Sequence, residues 1–218
     1  MPRGKRFFFD RVPYHVLNRG NRRNKIFSQP IDYEMFLTTI ADALERVCLA
    51  ILAFAIMPNH FHLVVVPKVG ADISEFMQWF MTTHVRRHHR FHELWGTGHL
   101  YQGRFKAFPI QEDHHLLTVL RYVEANPLAA RLVRCAEEWK WTSLSRPTSE
   151  DGRPLLSPSP IARPSNWLDV VNQRLPLKTR DRLRESARRE IPFGDPEWIR
   201  QVENDYEQAT SDHVIRIA

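Results

Sequence analysis

The sequence is poor in cysteine and has no long apolar run, and both absences narrow the classes of protein it can belong to. Cys48 and Cys135 are the two cysteines in 218 residues, which fits a reducing compartment and makes no metal-binding pair. No run of about 18 apolar residues is present, so no membrane span is predicted. The N-terminal segment MPRGKRFFFDR lacks the apolar core of a secretory signal peptide. We therefore expect a cytoplasmic protein without membrane contact.

Basic charge is concentrated near the N-terminus. The chain has 31 Lys and Arg against 25 Asp and Glu, a net charge of +6. Residues 1–30 contain eight basic residues and one acid, so this segment carries +7 and the remainder is nearly neutral. A local basic patch beside a neutral body indicates an anionic partner that meets the protein at one place, although a solvated basic terminus gives the same pattern.

Apolar periodicity and turn residues predict the order β, α, β, β, α, β, α. Strands are expected over 7–17, 49–57, 60–67 and 105–110, and helices over 32–47, 72–93 and 113–126. Pro58 and Asn59 form a tight turn, so the second and third strands must be antiparallel. The order predicts an α+β, ferredoxin-like fold, with helices packed mainly on one face of an antiparallel sheet.

The composition changes near residue 145. Residues 145–165 contain five prolines among serines and few apolar residues, which predicts a linker or an extended arm. Helical patterns follow around 167–171, 177–190 and 196–208, in a helical C-terminal tail that is too short to bury a core of its own.

Two histidines on the third predicted strand form the sharpest local motif. Side chains alternate along a strand, so His60 and His62 point to one face of the sheet while Phe61 points to the other. Two neighbouring imidazoles suit two ligands of one metal ion, although histidines on a solvated strand face have the same spacing.

The helix predicted from Asp113 carries further candidate groups. At about 100° per residue, a polar cluster of His115, Tyr122 and Asn126 lies beside the apolar stripe of this helix. The cluster can face an open pocket and supply a reactive phenol. The simpler interpretation is that Tyr122 is a boundary residue and that Asn126 caps the helix before Pro127.

Four segments together resemble the HUH superfamily of tyrosine nucleases and, more narrowly, the REP-associated tyrosine transposases, relatives of the single-strand transposases of insertion sequences. They are YHVLNRGNRR at 14–23, MPNHFH at 57–62, GHLYQGRFKA at 98–107 and RYVEANPL at 121–128, followed by WKWTS at 139–143. They occur in register over roughly residues 7–145. The resemblance implies that Tyr122 is the nucleophile and that His60, His62 and Asn126 hold a divalent metal ion, Mg²⁺ or Mn²⁺.

The same resemblance implies an activity and a substrate. Such a protein is an endonuclease and strand transferase that forms a 5′-phosphotyrosine intermediate on single-stranded or hairpin DNA of the repetitive extragenic palindrome type, without a small-molecule cofactor. The expected organisation is a nuclease domain over 1–145, a Pro/Ser-rich linker over 146–165 and a small helical tail over 166–218. One nucleophile per chain fits either a monomer or a homodimer.

DNA contacts are expected from basic residues on the loop after the first strand, on the second helix and near the fourth strand. These residues are Arg19, Arg22, Arg23, Lys25, Arg86, Arg87, Arg90, Arg104 and Lys106. Trp95, Tyr101 and Phe105 are candidates for stacking on bases. His115 shares the helix face of Tyr122 and is a candidate to assist it.

Two alternatives stay open at the level of sequence. His84, His88 and His92 recur every four residues on the second helix, a spacing that can bind zinc, although no cysteine or HExxH motif accompanies them. The chain can also be a non-catalytic hairpin DNA- or RNA-binding regulator derived from a transposase. The presence of Tyr122 with its candidate ligands favours the enzyme.

Overall fold

The computed structural model describes residues 6–94, 96 and 98–215, with side chains to residue 210. Its strands are β1 (Tyr14–Arg19), β2 (Leu49–Met57), β3 (His60–Pro67) and β4 (Lys106–Pro109). Its α-helices are α1 (Pro30–Leu44), α2 (Ala71–Phe91), α3 (His114–Glu124), α4 (Asn126–Ala129), α5 (Trp167–Asn172), α6 (Leu177–Arg189) and α7 (Pro196–Ile215). None of these helices combines the length and the apolar character that crossing a lipid bilayer requires.

The four strands form one antiparallel sheet in the order β2-β3-β1-β4. Because β1 lies between β3 and β4, β1 is a central strand and adjoins β3, which carries the histidine pair. The loop that follows β1, residues 20–25, contains Arg22, Arg23 and Lys25 and is called the basic loop below. Side chains such as Phe36 of α1, Phe76 of α2 and Phe61 of β3 form a buried core on one face. The predicted α+β class, with an antiparallel sheet and a helical C-terminal region, is confirmed.

The distribution of helices corrects one part of that prediction. α1 and α2 share one face, but α3, α5 and α6 cover the other, where a second core contains Leu52, Leu116 and Leu183. The physical reason lies in β2, whose residues are apolar on both sides: Phe54 faces the first core and Ala55 the second. A strand of this kind must be covered twice, because either face left in water would expose apolar surface.

The segment after residue 145 first contacts α1 and β2, and its later residues then pack in the second core. Ser157 donates its backbone N–H to the carbonyl of Ile51 at 2.8 Å, and Arg153 pairs with Asp42 of α1 at 2.8 Å. Trp167 and Val171 of α5 are buried against α3. α5 and α6 are therefore packed on the sheet face that carries α3, whereas Tyr206 of α7 contacts Phe7 near the N-terminus.

Candidate functional site

The two strand histidines lie on the sheet face that α3 covers. The ring centroids of His60 and His62 are 5.0 Å apart, and Phe61 between them is buried in the opposite core. His62 is 4% exposed, whereas His60 is partly open. The alternation of β3 therefore brings both imidazoles to one place, as its sequence pattern requires.

α3 brings Tyr122 to the same place. The helix starts at Asp113, whose Oδ1 accepts the backbone N–H of His115 at 2.7 Å, and its apolar stripe is buried in the second core. The ring centroid of Tyr122 lies 6.0 Å from that of His62. Asn126, at the start of α4, is in hydrogen-bonding contact with both His60 and Tyr122. The phenol, the amide and both imidazoles thus form one cluster.

The side chain of Asn59 fixes the orientation of the His60 ring. Its Nδ2 donates to the carbonyl of Arg23 at 3.1 Å, so its Oδ1, 2.7 Å from Nδ1 of His60, must accept a hydrogen bond from that nitrogen. Nδ1 therefore carries the hydrogen in neutral His60, and the lone pair is on Nε2. In this tautomer Nε2 is the nitrogen of His60 that could coordinate a metal ion.

His15 is a member of the cluster that sequence reasoning missed. It is fully buried on β1, its Nε2 lies 2.8 Å from Nδ1 of His62, and its Nδ1 has no hydrogen-bond partner. Its ring centroid is 6.1 Å from that of Tyr122. The signal was available in the alternation of β1, but it becomes informative only when β1 is known to pair with β3.

Burial sets the protonation of these groups. Desolvation lowers the pKa of His15 to about 3 and of His60 to about 4, and it holds the pKa of His62 well below its ordinary value. All three rings are therefore neutral at pH 7. Desolvation also raises the pKa of Tyr122, and the neighbouring Arg184 opposes that rise.

Arg184 and Arg180 of α6 are further residues that sequence reasoning missed. The positive charges of both lower the pKa of the Tyr122 phenol, and Arg184 also hydrogen-bonds it. Together with Arg188 they recur every four residues in α6, so they share one helix face. That spacing was a readable signal, but nothing in the sequence shows that α6 packs beside α3.

A cleft of about 1530 Å³ opens over the cluster. Among its described lining residues, ten are basic and Glu190 is acidic. The basic ones are Arg6, Arg19, Arg23, Arg104, Lys106, Arg131, Arg174, Arg180, Arg184 and Arg188. The positive charge of these side chains favours a polyanionic ligand in the cleft that Tyr122 also lines.

Four of the nine residues expected to contact DNA line this cleft, namely Arg19, Arg23, Arg104 and Lys106. Arg22 and Lys25 are exposed on the same loop, outside the cleft lining. The three arginines of α2 also lie outside it: Arg86 and Arg90 are exposed, and Arg87 pairs with Asp42 at 2.7 Å.

The basic loop is held in a strained shape. Arg22 and Arg23 have left-handed backbone angles, with φ of 52° and 62°, which non-glycine residues rarely adopt. Gly20 donates its N–H to the carbonyl of Asn59 at 2.8 Å, and Asn59 in turn holds the carbonyl of Arg23. The loop is therefore fastened to the β2–β3 turn next to His60.

Other sequence-based candidates lie elsewhere. Nδ1 of His115 is 2.8 Å from Oδ1 of Asp113 and its ring packs on Phe193, so it is engaged at the start of α3, away from Tyr122. Tyr101 and Phe105 are 5% and 7% exposed in the first core, which rules out base stacking by either ring. Trp95 lies outside the described residues.

Two further groups of side chains in the described chain could hold a metal ion. Asp32, His88 and His92 form one group, and Asp113, His114 and His115 form the other. Within each group the candidate ligand atoms lie within 4.8 Å of one another.

Comparison with known proteins places this site in a family context. The family model described as IS200-like transposase matches residues 9–126, more than half of the chain. A solved structure described as a REP-associated tyrosine transposase bound to a REP hairpin aligns with a TM-score of 0.55 and 17% identity, covering 80% of this chain and 99% of that one. A transposase candidate from Deinococcus radiodurans R1 aligns with a TM-score of 0.39 and 20% identity, covering 57% and 96%. No curated protein sequence matches.

Proposed function

Because the chain belongs to the IS200-like transposase family, we propose that it is a metal-dependent endonuclease and strand transferase for single-stranded, hairpin-forming DNA. The observation that carries the proposal is the cluster of Tyr122, His60, His62 and Asn126 on one wall of a strongly basic cleft. A phenol next to two neutral imidazoles and an amide is a suitable group for covalent catalysis on a phosphodiester.

The donor atoms fit a divalent metal ion, for which we propose Mg²⁺ or Mn²⁺. Nε2 of His60 carries the lone pair because Asn59 engages Nδ1, and Nε2 of His62 carries it when its Nδ1–H donates to His15. Asn126, which contacts His60, can supply its amide oxygen as the third ligand. An ion held by these residues would neutralise negative charge that develops on the phosphate.

Tyr122 is the proposed nucleophile. Its Oη forms a bond to phosphorus while the bond from phosphorus to the 3′ oxygen breaks, which leaves a 5′-phosphotyrosine and a 3′-hydroxyl. The phenol loses one proton to solvent and the departing oxygen gains one, so the step is balanced. Because one phosphate ester replaces another, an incoming 3′-hydroxyl can reverse the step without a nucleotide cofactor.

Arg184 is proposed to stabilise the phenolate that this attack requires. Burial raises the pKa of Tyr122, whereas the adjacent guanidinium of Arg184 favours the ionised form. Since Arg184 comes from the C-terminal helix α6, the proposed active site includes residues beyond the segment that matches the family model.

The proposed substrate follows from charge and shape. The basic side chains of the cleft would contact phosphates, and an unpaired strand can bring its backbone against the half-buried Tyr122 more easily than a stacked duplex can. One structure with the same fold is described as bound to a REP hairpin. We therefore propose a hairpin beside the basic loop and a cleaved single strand in the cleft, for a monomer or a homodimer.

The test is formation of a covalent protein–DNA adduct. End-labelled single-stranded DNA that carries a palindromic hairpin and its flanks is incubated with protein and Mg²⁺ or Mn²⁺, then separated in SDS. The native chain should form an SDS-resistant adduct that EDTA prevents. Tyr122→Phe should form none while still binding the hairpin.

The matched control is Tyr206→Phe, because Tyr206 is an exposed tyrosine on α7. It should form the adduct at the native rate. An adduct that persists in Tyr122→Phe would refute the assignment of the nucleophile. Tight hairpin binding without any adduct from the native chain would instead support the non-catalytic regulator.

A further inference from the structure

A second group of potential ligands lies on the opposite side of the sheet from Tyr122. Asp32 is in the first turn of α1, His88 is in the last turn of α2, and His92 caps that helix. One candidate ligand atom from each lies within 4.8 Å of the others. α1 and α2 pack on the face that carries Phe61, so this group is separate from His60 and His62.

The hydrogen bonds of His88 prepare one of its nitrogens for a ligand. Its Nε2 lies 3.0 Å from the carbonyl oxygen of Ile26, which can only accept, so Nε2 carries the hydrogen. Nδ1 of the neutral ring is then a lone pair. It is buried without a hydrogen-bond partner, in a residue that is 5% exposed. A histidine whose outer nitrogen donates to a backbone carbonyl is a common form of metal ligand.

The other two side chains are oriented toward each other. Oδ2 of Asp32 accepts the backbone N–H groups of Ser28 and Gln29, which leaves Oδ1 directed at Nε2 of His92, at 2.7 Å. The ring centroids of His88 and His92 are 4.4 Å apart. The side chain of His92 is 24% exposed, so the group has one open side through which an ion and a water molecule can enter.

We propose that Asp32, His88 and His92 form a second metal site, selective for a transition-metal ion such as Zn²⁺. Two imidazoles, one carboxylate and a water molecule make a four-coordinate set that suits Zn²⁺ better than Mg²⁺. The ion would take the place of the proton between Nε2 of His92 and Oδ1 of Asp32; in neutral His92 that proton moves to Nδ1, and from the imidazolium one proton is released to solvent. His84, the third histidine of the four-residue repeat, is not part of the group whose ligand atoms converge, and its Nδ1 faces the Tyr101 hydroxyl at 2.9 Å.

The proposed ion would join three parts of the chain. It links the start of α1 to the end of α2, and through His88 it supports Ile26, whose N–H donates to the carbonyl of Pro58 at 2.8 Å. Ile26 follows directly on the basic loop, so the site would stabilise the base of that loop. Its role is structural, and its occupancy is independent of the chemistry at Tyr122.

The experiment measures Zn²⁺ binding in a chain in which the other candidate sites have been disabled. The background is His60→Gln, His62→Gln and His114→Gln, stripped with EDTA and then dialysed. Titration against a chromophoric chelator should show one Zn²⁺ per chain, and Zn²⁺ should raise the melting temperature. Co²⁺ should give the visible absorption of a four-coordinate ion.

Adding His92→Gln should weaken Zn²⁺ binding by at least about 100-fold, more than the loss of an outer-shell partner. Asp32→Asn, which keeps an oxygen for the backbone N–H groups it caps, should also weaken it. The matched control is His99→Gln, because His99 is exposed and outside the group; it should change nothing. Equal binding with and without His92, or no binding by the background chain, would overturn the proposal.

If either variant fails to fold, chemical modification of the background chain can show whether Zn²⁺ binds at His92. Diethyl pyrocarbonate reacts with accessible neutral imidazoles, and mass spectrometry locates the adducts. Zn²⁺ should protect His92 while His99 stays reactive. Equal modification of His92 with and without Zn²⁺ would refute the site.

Discussion

Acid should destabilise the protein because His84 is held neutral inside the first core. His84 is fully buried, its ring packs on Phe36 and Phe80, and burial lowers its pKa to about 3. In the unfolded chain its pKa is near 6.5. At pH 5 the unfolded state therefore binds a proton that the folded state does not. The contribution of neutral, buried His84 to the free energy of unfolding is fully present above pH 6.5. It is lost progressively as the pH falls below that value.

The size of the effect at pH 5 depends mainly on the unfolded pKa. The difference of about 1.5 units between 6.5 and 5 corresponds to about 2 kcal/mol, since one unit is worth about 1.36 kcal/mol. A folded pKa anywhere below about 4.5 gives nearly the same value. Urea unfolding of metal-free protein at pH 7 and pH 5 measures this loss in the free energy of unfolding.

His84→Gln isolates the contribution of this side chain. Glutamine stays neutral at both pH values and can still hydrogen-bond the Tyr101 hydroxyl, so its pH 7 to pH 5 loss should be smaller by about 2 kcal/mol than that of the native chain. His99→Gln, an exposed control, should lose as much as the native chain. If His84→Gln loses the native amount as well, His84 is not kept neutral by burial.

Three further predictions concern the cleft and its supports. Arg184→Met should slow adduct formation by about 100-fold at pH 7 and by less at higher pH, because loss of the guanidinium raises the pKa of Tyr122. Single-turnover rates measured across a pH range test this, and a pH profile equal to that of the native chain would contradict it. Gly20→Ala should weaken hairpin binding by about tenfold without unfolding the chain, because the new Cβ would lie 2.2 Å from a loop carbonyl; gel shifts measure it. Arg163→Met should cost about 2 kcal/mol of unfolding free energy, since it removes the ion pair of the buried Glu124 at 3.0 Å. Adding Glu124→Gln should recover part of that loss in urea titrations.

Most elements could be predicted because their signals are local. β2 and β3 have the predicted bounds, since two apolar runs flank the tight turn at Pro58 and Asn59. α3 was predicted to start at Asp113, and the aspartate caps it. The first strand was expected over 7–17, but β1 runs over Tyr14–Arg19, because pairing with β3 determines where the ladder begins.

The candidate site was only partly predictable because half of it is made by packing over long sequence distances. The spacing of His60 and His62 within one strand is visible in the sequence. His15 and Arg184 become neighbours of Tyr122 only through the pairing of β1 with β3 and the docking of α6 on β4 and the second core. No local pattern states which helices or strands will be adjacent. The division of the helices between the two faces of the sheet is likewise determined by long-range packing.

A single amide group connects substrate docking to the proposed chemistry. Asn59 holds the backbone of the arginine loop with one end of its side chain and the His60 ring with the other. A hairpin that shifted this loop would therefore be expected to turn the imidazole proposed to bind the metal. We expect strands that lack the right hairpin to be bound but cut slowly, so that selectivity is seen in kcat more than in KM.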